Sequence, residues 1–117
     1  MRLLKIQMRK YKDLKEIGEI LQGEVSPAEL TDILQWLSGL YGVIAWDMSQ
    51  VESKKPFEWT ELRKRCQSAN ETDKLWETTE LGQLEIKHKW ELRILDKMSS
   101  AIKARLRRLT EEAHNQF

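Results

Sequence analysis

The chain has a single cysteine, Cys66, among its 117 residues. An intrachain disulfide is therefore impossible, and the disulfide frameworks that hold small secreted domains together are excluded. A reducing cytoplasm is the expected compartment. Proline is equally scarce, with two residues, and five glycines leave long stretches in which nothing opposes a helix. No apolar run approaches the roughly 20 residues of a membrane span. Leu3, Leu4 and Ile6 are interrupted by Lys5, Arg9 and Lys10, too soon for the apolar region of a signal peptide. There is no glycine-rich loop to cradle a phosphate. The two histidines, His88 and His114, and one cysteine would need carboxylates from several helices to complete a zinc site. Cys66 reads as a small buried hydrophobe, and Glu111 and Glu112 read as surface carboxylates. No catalytic or metal motif is present, so a protein that is not an enzyme and needs no cofactor is expected.

Charge is abundant but uneven. Charged residues make up 33% of the chain and hydrophobic residues 40%, and the formal net charge is only +1. Between Lys87 and Arg108 there are eight Lys and Arg against Glu91 and Asp96, a local balance of +6. The stretch from Arg2 to Lys15 is also basic, whereas Glu16 to Asp32 and Glu71 to Glu85 each carry five carboxylates. Such a mosaic of basic and acidic surfaces favours self-assembly or a charged partner.

The periodicity predicts an all-α fold: one domain over residues 1–117, with three to four helices, a long C-terminal helix and coiled-coil-like packing in a helical hairpin or bundle. A first helix is expected from Leu3 to Gln22, with Leu4, Met8, Tyr11, Leu14, Ile17 and Leu21 at helical spacing and Gly23 as a left-handed C-terminal cap. Ser26-Pro27-Ala28-Glu29 is a strong start signal: an N-cap serine, proline at the first helical position and a capping-box glutamate. It opens a second helix, expected from Pro27 to about Ser53. Its stripe is Leu30, Ile33, Leu34, Leu37, Leu40, Tyr41, Ile44, Met48 and Val51. A second stripe, Trp36, Gly39, Val43 and Trp46, predicts a helix between two neighbours, with Gly39 and Gly42 allowing close approach. Pro56 is expected to break or sharply bend the chain, with a third helix starting near Phe57. Ser68 to Asp73 is either a break or a weak turn of a continuous helix.

The last segment, from about Thr72 to His114, repeats Leu81, His88, Leu95, Ile102 and Leu109 every seven residues, joined by Leu92, Ser99, Leu106 and Ala113. This seam needs a helix beside it, either the Pro27 to Ser53 helix or another subunit. Trp36 and Trp46 with Leu95, Ile102 and Leu109 are the expected interface residues, and a homo-oligomer is the expected state. On the opposite side Lys89, Arg93, Lys97, Lys103 and Arg107 form a basic ladder when projected at about 100° per residue. A ladder of cations suits a phosphate backbone, because each neutralised phosphate releases counterions; ordinary solvated positions paired with acidic faces are the alternative. Trp59 and Trp90 lie beside bases, where an exposed indole stacks on a nucleobase; packing inside the fold or between subunits is the commoner use of tryptophan.

Ala101-Ile102-Lys103-Ala104-Arg105-Leu106 resembles a short basic helical stretch of the UvsY recombination mediators of tailed phages, and His88-Lys89-Trp90 with Leu92 and Leu95 is loosely similar to the region before it. The likeness covers about a sixth of the chain. It implies a small all-α protein that forms a ring-like homo-oligomer in the host cytoplasm, binds single-stranded DNA and helps a RecA-type recombinase displace a single-strand-binding protein. Lys103 and Arg105 match the basic pair of the motif, and they lie about 160° apart around a helix. The leading expectation is non-specific binding of single-stranded nucleic acid through Lys89, Arg93, Lys97, Lys103, Arg105 and Arg107. The alternative is a helical adaptor, structural or inhibitor protein that works only through protein contacts.

Overall fold

The computed structural model describes residues 11–115. The expected helical residues Leu4 and Met8, and the basic residues from Arg2 to Lys10, lie outside them. Four helices follow in chain order: α1 (Leu14–Leu21), α2 (Pro27–Arg63), α3 (Ala69–Trp76) and α4 (Glu80–Asn115). The described fold is all-α, with the long C-terminal helix that the heptad pattern predicts.

Short polar side chains set the helix starts. Asp13 Oδ1 accepts from the Glu16 backbone N–H at 2.9 Å, Ser26 Oγ from Glu29 N–H at 3.1 Å, and Ser68 Oγ from Glu71 N–H at 3.1 Å. Each satisfies a donor that has no partner within its own helix. Ser68 settles the open alternative in that region: a new helix begins there, and Lys64 to Ser68 separate it from α2. Glu77 to Thr79 then separate α3 from α4, so the last segment is two helices rather than one. Gly82 shows why that corner is tight. A Cβ at this position would fall 1.8 Å from the Trp76 carbonyl oxygen, so only glycine lets the first turn of α4 approach the end of α3.

Pro56 does not end α2. The helix runs through it to Arg63, and Lys55 stays helical. The buried stripe explains the continuity, since Ile44, Met48, Val51 and Leu62 keep helical phase on both sides of the proline. Pro56 itself is exposed, and it leaves the Glu52 carbonyl without its usual intrahelical donor. Two glycine expectations also change. No glycine has a positive φ, so Gly23 follows α1 without a left-handed cap. A Cβ at Gly39 or Gly42 would meet nothing within 4 Å, so no neighbour among the described residues approaches α2 at either position.

The chain forms two compact units. Among the described residues the first comprises 11–41 and 95–115, the second 42–94. In the first, Ile17, Leu30, Ile33, Leu37, Leu95 and Ile102 are buried, and Tyr11 packs edge-on against Trp36 with ring centroids 5.8 Å apart. Trp36, Leu95 and Ile102, expected at a subunit interface, are thus part of this chain's own core. Truncating a buried Leu or Ile costs about 2–5 kcal/mol, and the central part of the heptad seam therefore holds α4 in place within the chain. Leu109 is half-buried. In the second unit Ile44, Met48, Val51 and Leu62 of α2 form a core with Thr72 and Trp76 of α3 and the buried Glu85 of α4.

Candidate nucleic-acid interface

The outward face of α4 begins in the second unit, where an amphipathic helix buries Glu85 and half-buries Leu81, His88 and Leu92. The opposite side then holds Ile86, Lys89, Trp90, Arg93 and Ile94, all exposed. Trp90 is 57% exposed. The Arg93 guanidinium carbon lies 4.9 Å from its ring centroid, within range of a cation–π contact. Lys89 reaches Glu85 at 3.7 Å while its side chain stays largely in solvent. The result is an exposed indole with a guanidinium on it and an ammonium beside it, while the neighbouring carboxylates, Glu85 and Glu91, are turned toward Lys55 and His88.

Farther along α4, in the first unit, Lys97, Lys103 and Arg107 are exposed. Arg105 is not available with them. Its Nη1 donates to the Leu21 carbonyl at 2.9 Å and its Nη2 to the Gly23 carbonyl at 2.7 Å. The last carbonyls of α1 lack intrahelical donors, and a cation at a helix C-terminus is favoured by the helix dipole. Arg105 is thus a capping residue, which corrects its assignment to the phosphate-binding set. The separation of about 160° from Lys103 around α4 is the physical reason: one residue faces solvent and the other faces α1.

The remaining tryptophans sort by burial. Trp76 is buried. Trp59 is half-buried, and its indole N–H donates to Asp73 Oδ1 at 2.9 Å, which ties it to α3. Trp46 is 67% exposed and has no basic residue as a direct chain neighbour.

A polar hub lies beneath the second unit's surface, which sequence reading missed because Glu85 looked like one of many surface carboxylates. Lys55 Nζ lies 3.0 Å from Glu85 Oε2, and the Trp76 indole N–H donates to Oε1 at 3.3 Å. The Lys55 ammonium also stands 5.6 Å from the centroid of the Trp76 ring. Burial alone would push the Glu85 carboxyl up, but the hydrogen bonds from Lys55 and Trp76 and the charges of Lys55 and Lys89 outweigh it and hold the carboxyl below its ordinary value of 4.5. The helical spacing that puts Glu85 in phase with Leu81, His88 and Leu92 is the signal that could have found it. An open groove of about 620 Å³ passes Glu52, Lys55, Trp59, Asp73, Glu85 and Lys89. Lys55 with Glu85 and Trp59 with Asp73 use their polar groups on each other, so the groove supports the fold more than it invites a ligand.

His88 Nδ1 lies 3.1 Å from Glu91 Oε1, a local pair on one helix. Among the described residues no three His, Cys, Asp or Glu side chains gather as a metal-binding group, and no helix is long and apolar enough to cross a membrane. No protein-family model, curated protein or solved structure matches the chain, so its own side chains carry the functional reading.

Proposed function

We propose that the chain binds single-stranded nucleic acid without sequence specificity, using the outward face of α4. One observation carries this reading: Trp90 stands in solvent with Arg93 against its ring and Lys89 beside it. Every base offers a π-face, and stacking on an aromatic side chain contributes about 1–3 kcal/mol per base regardless of sequence. Flanking cations hold the phosphates on either side. Lys97, Lys103 and Arg107 continue the positive charge along the same helix, while Arg105 serves the fold. A role in recombination, loading a strand for a RecA-type recombinase, is the biological setting that fits the UvsY-like stretch.

The test is a salt series with a labelled oligothymidylate and the full chain. Five cations that each neutralise one phosphate give a slope of log affinity against log salt of about −3.5 for a single strand. Reversing Lys97, Lys103 and Arg107 to Glu removes about 2 from that slope, and Trp90→Ala weakens binding by about tenfold at every salt concentration. Arg105→Ala leaves the slope unchanged. An unaltered slope in the triple reversal, together with unaltered affinity in Trp90→Ala, would sink the reading.

A further inference from the structure

The second unit carries another outward surface, on α2. Projection at about 100° per residue sets Val43, Trp46, Gln50 and Phe57 within an arc of about 60°, on the side away from the buried Ile44, Met48, Val51 and Leu62. Trp46 is 67% and Phe57 69% exposed. Gly42 borders this face, where an added Cβ would meet nothing. A glycine inside a helix costs about 1 kcal/mol relative to alanine, and no contact among the described residues offsets that. Exposed aromatic rings beside a bare stretch of helix backbone describe a surface shaped to receive another helix.

Charge separates the two outward faces. The α4 ridge has Lys87, Lys89 and Arg93 around Ile86 and Trp90, so a second copy of that ridge would set like charge against like. The α2 face carries both signs on one flank, Asp47 and Lys54. We propose that the α2 face pairs with the same face of a second copy of this chain, antiparallel about a two-fold axis at Gln50. In that register Val43 lies level with Phe57 of the partner subunit, and the exchange is reciprocal, as a two-fold interface requires. The axis brings identical flanks together. Asp47 precedes Gln50 by three residues and Lys54 follows it by four, so across the interface they differ in height by a single residue rise, about 1.5 Å. Two ion pairs follow from one sequence. Gly42 lets the partner backbone come close beside the Phe57 ring. The inference does not rest on strand binding, since none of these residues belongs to the α4 face.

Sedimentation equilibrium of the full chain tests it, with a concentration-dependent dimer as the expected result. Trp46→Glu and Phe57→Glu each give a monomer with unchanged helical circular dichroism, because both side chains are exposed in the single chain. Asp47→Lys and Lys54→Asp each weaken the dimer about fivefold, and the double reversal restores it. Gln50→Cys in a Cys66→Ser background gives a disulfide-linked dimer on mild oxidation. A chain that stays monomeric at all concentrations overturns the proposal. So does a dimer that survives Trp46→Glu but is dispersed by Trp90→Ala, which would place the interface on α4 and not on α2. Strand binding measured on the Trp46→Glu monomer reports the other reading separately.

Discussion

At the scale of single residues, this chain uses charged side chains to finish its fold as well as to decorate it. Arg105 ties α4 to the open end of α1, and Glu85 gathers Lys55, Trp76 and Lys89 around one carboxylate. The lowered pKa of Glu85 makes stability depend on pH with a definite sign. The unfolded chain protonates this group at the higher, ordinary value, so the stabilisation is fully present above 4.5 and is lost as pH falls through the lower value of the folded state. Glu85→Gln is expected to cost about 1 kcal/mol near neutral pH, a deficit that shrinks as pH falls below 4.5. Urea unfolding of both proteins at several pH values measures it; a deficit that stays constant or grows on acidification contradicts the assignment. Spacing along α4 places Glu85 on the inward side, but the partners of Glu85 and Arg105 were not legible in the sequence. A helical Arg or Glu looks the same whether its neighbour is water or another helix, and only the packing of distant segments, Leu21 with Arg105 or Lys55 with Glu85, distinguishes the two.

At the scale of elements, the start of α2 was easier to read than its end. Ser26, Pro27 and Glu29 announce α2 because an N-cap acts over one turn, through a hydrogen bond between near neighbours. The expected break at Pro56 is the opposite case. Proline forfeits a local hydrogen bond, but the burial of Val51 on one side and Leu62 on the other favours keeping the helix continuous through it. That competition makes Pro56→Ala a stabilising change. The variant regains the bond to the Glu52 carbonyl and is expected to gain about 1–3 kcal/mol, read as a higher melting temperature or urea midpoint; an unchanged or lower midpoint would mean that the helix does not continue as described. The misplaced break also hid the outward face of α2. With the helix continuous, Phe57 falls into phase with Val43 and Trp46, residues that seem unrelated when a helix ends at Ser53.

At the scale of the whole molecule, the two outward faces divide by charge, with α4 proposed to take an anion and α2 a second copy. A dimer would then carry two strand-binding helices, and engaging the second would be an intramolecular event. Phe57→Glu, which leaves α4 untouched, is expected to lower the affinity for an oligonucleotide long enough to reach both helices by about tenfold or more. The affinity for a strand that fills only one stays the same. Anisotropy titrations with the two lengths make the comparison, and equal losses for both lengths would show that Phe57 acts on the strand site directly.

The sequence by itself determined the all-α class, the Ser26 N-cap of α2, the buried seam through Leu95 and Ile102, and the basic outward side of α4. Each follows from spacing along one helix or from bonds within one turn. Tertiary structure decided which surfaces the chain keeps for itself. It buried Trp36 against Tyr11, tied Trp59 to Asp73 and Arg105 to α1, carried α2 through Pro56, and left Trp46, Phe57 and Trp90 in solvent. These outcomes depend on contacts between residues far apart in the chain, where periodicity says that a face is apolar or charged but not what lies against it.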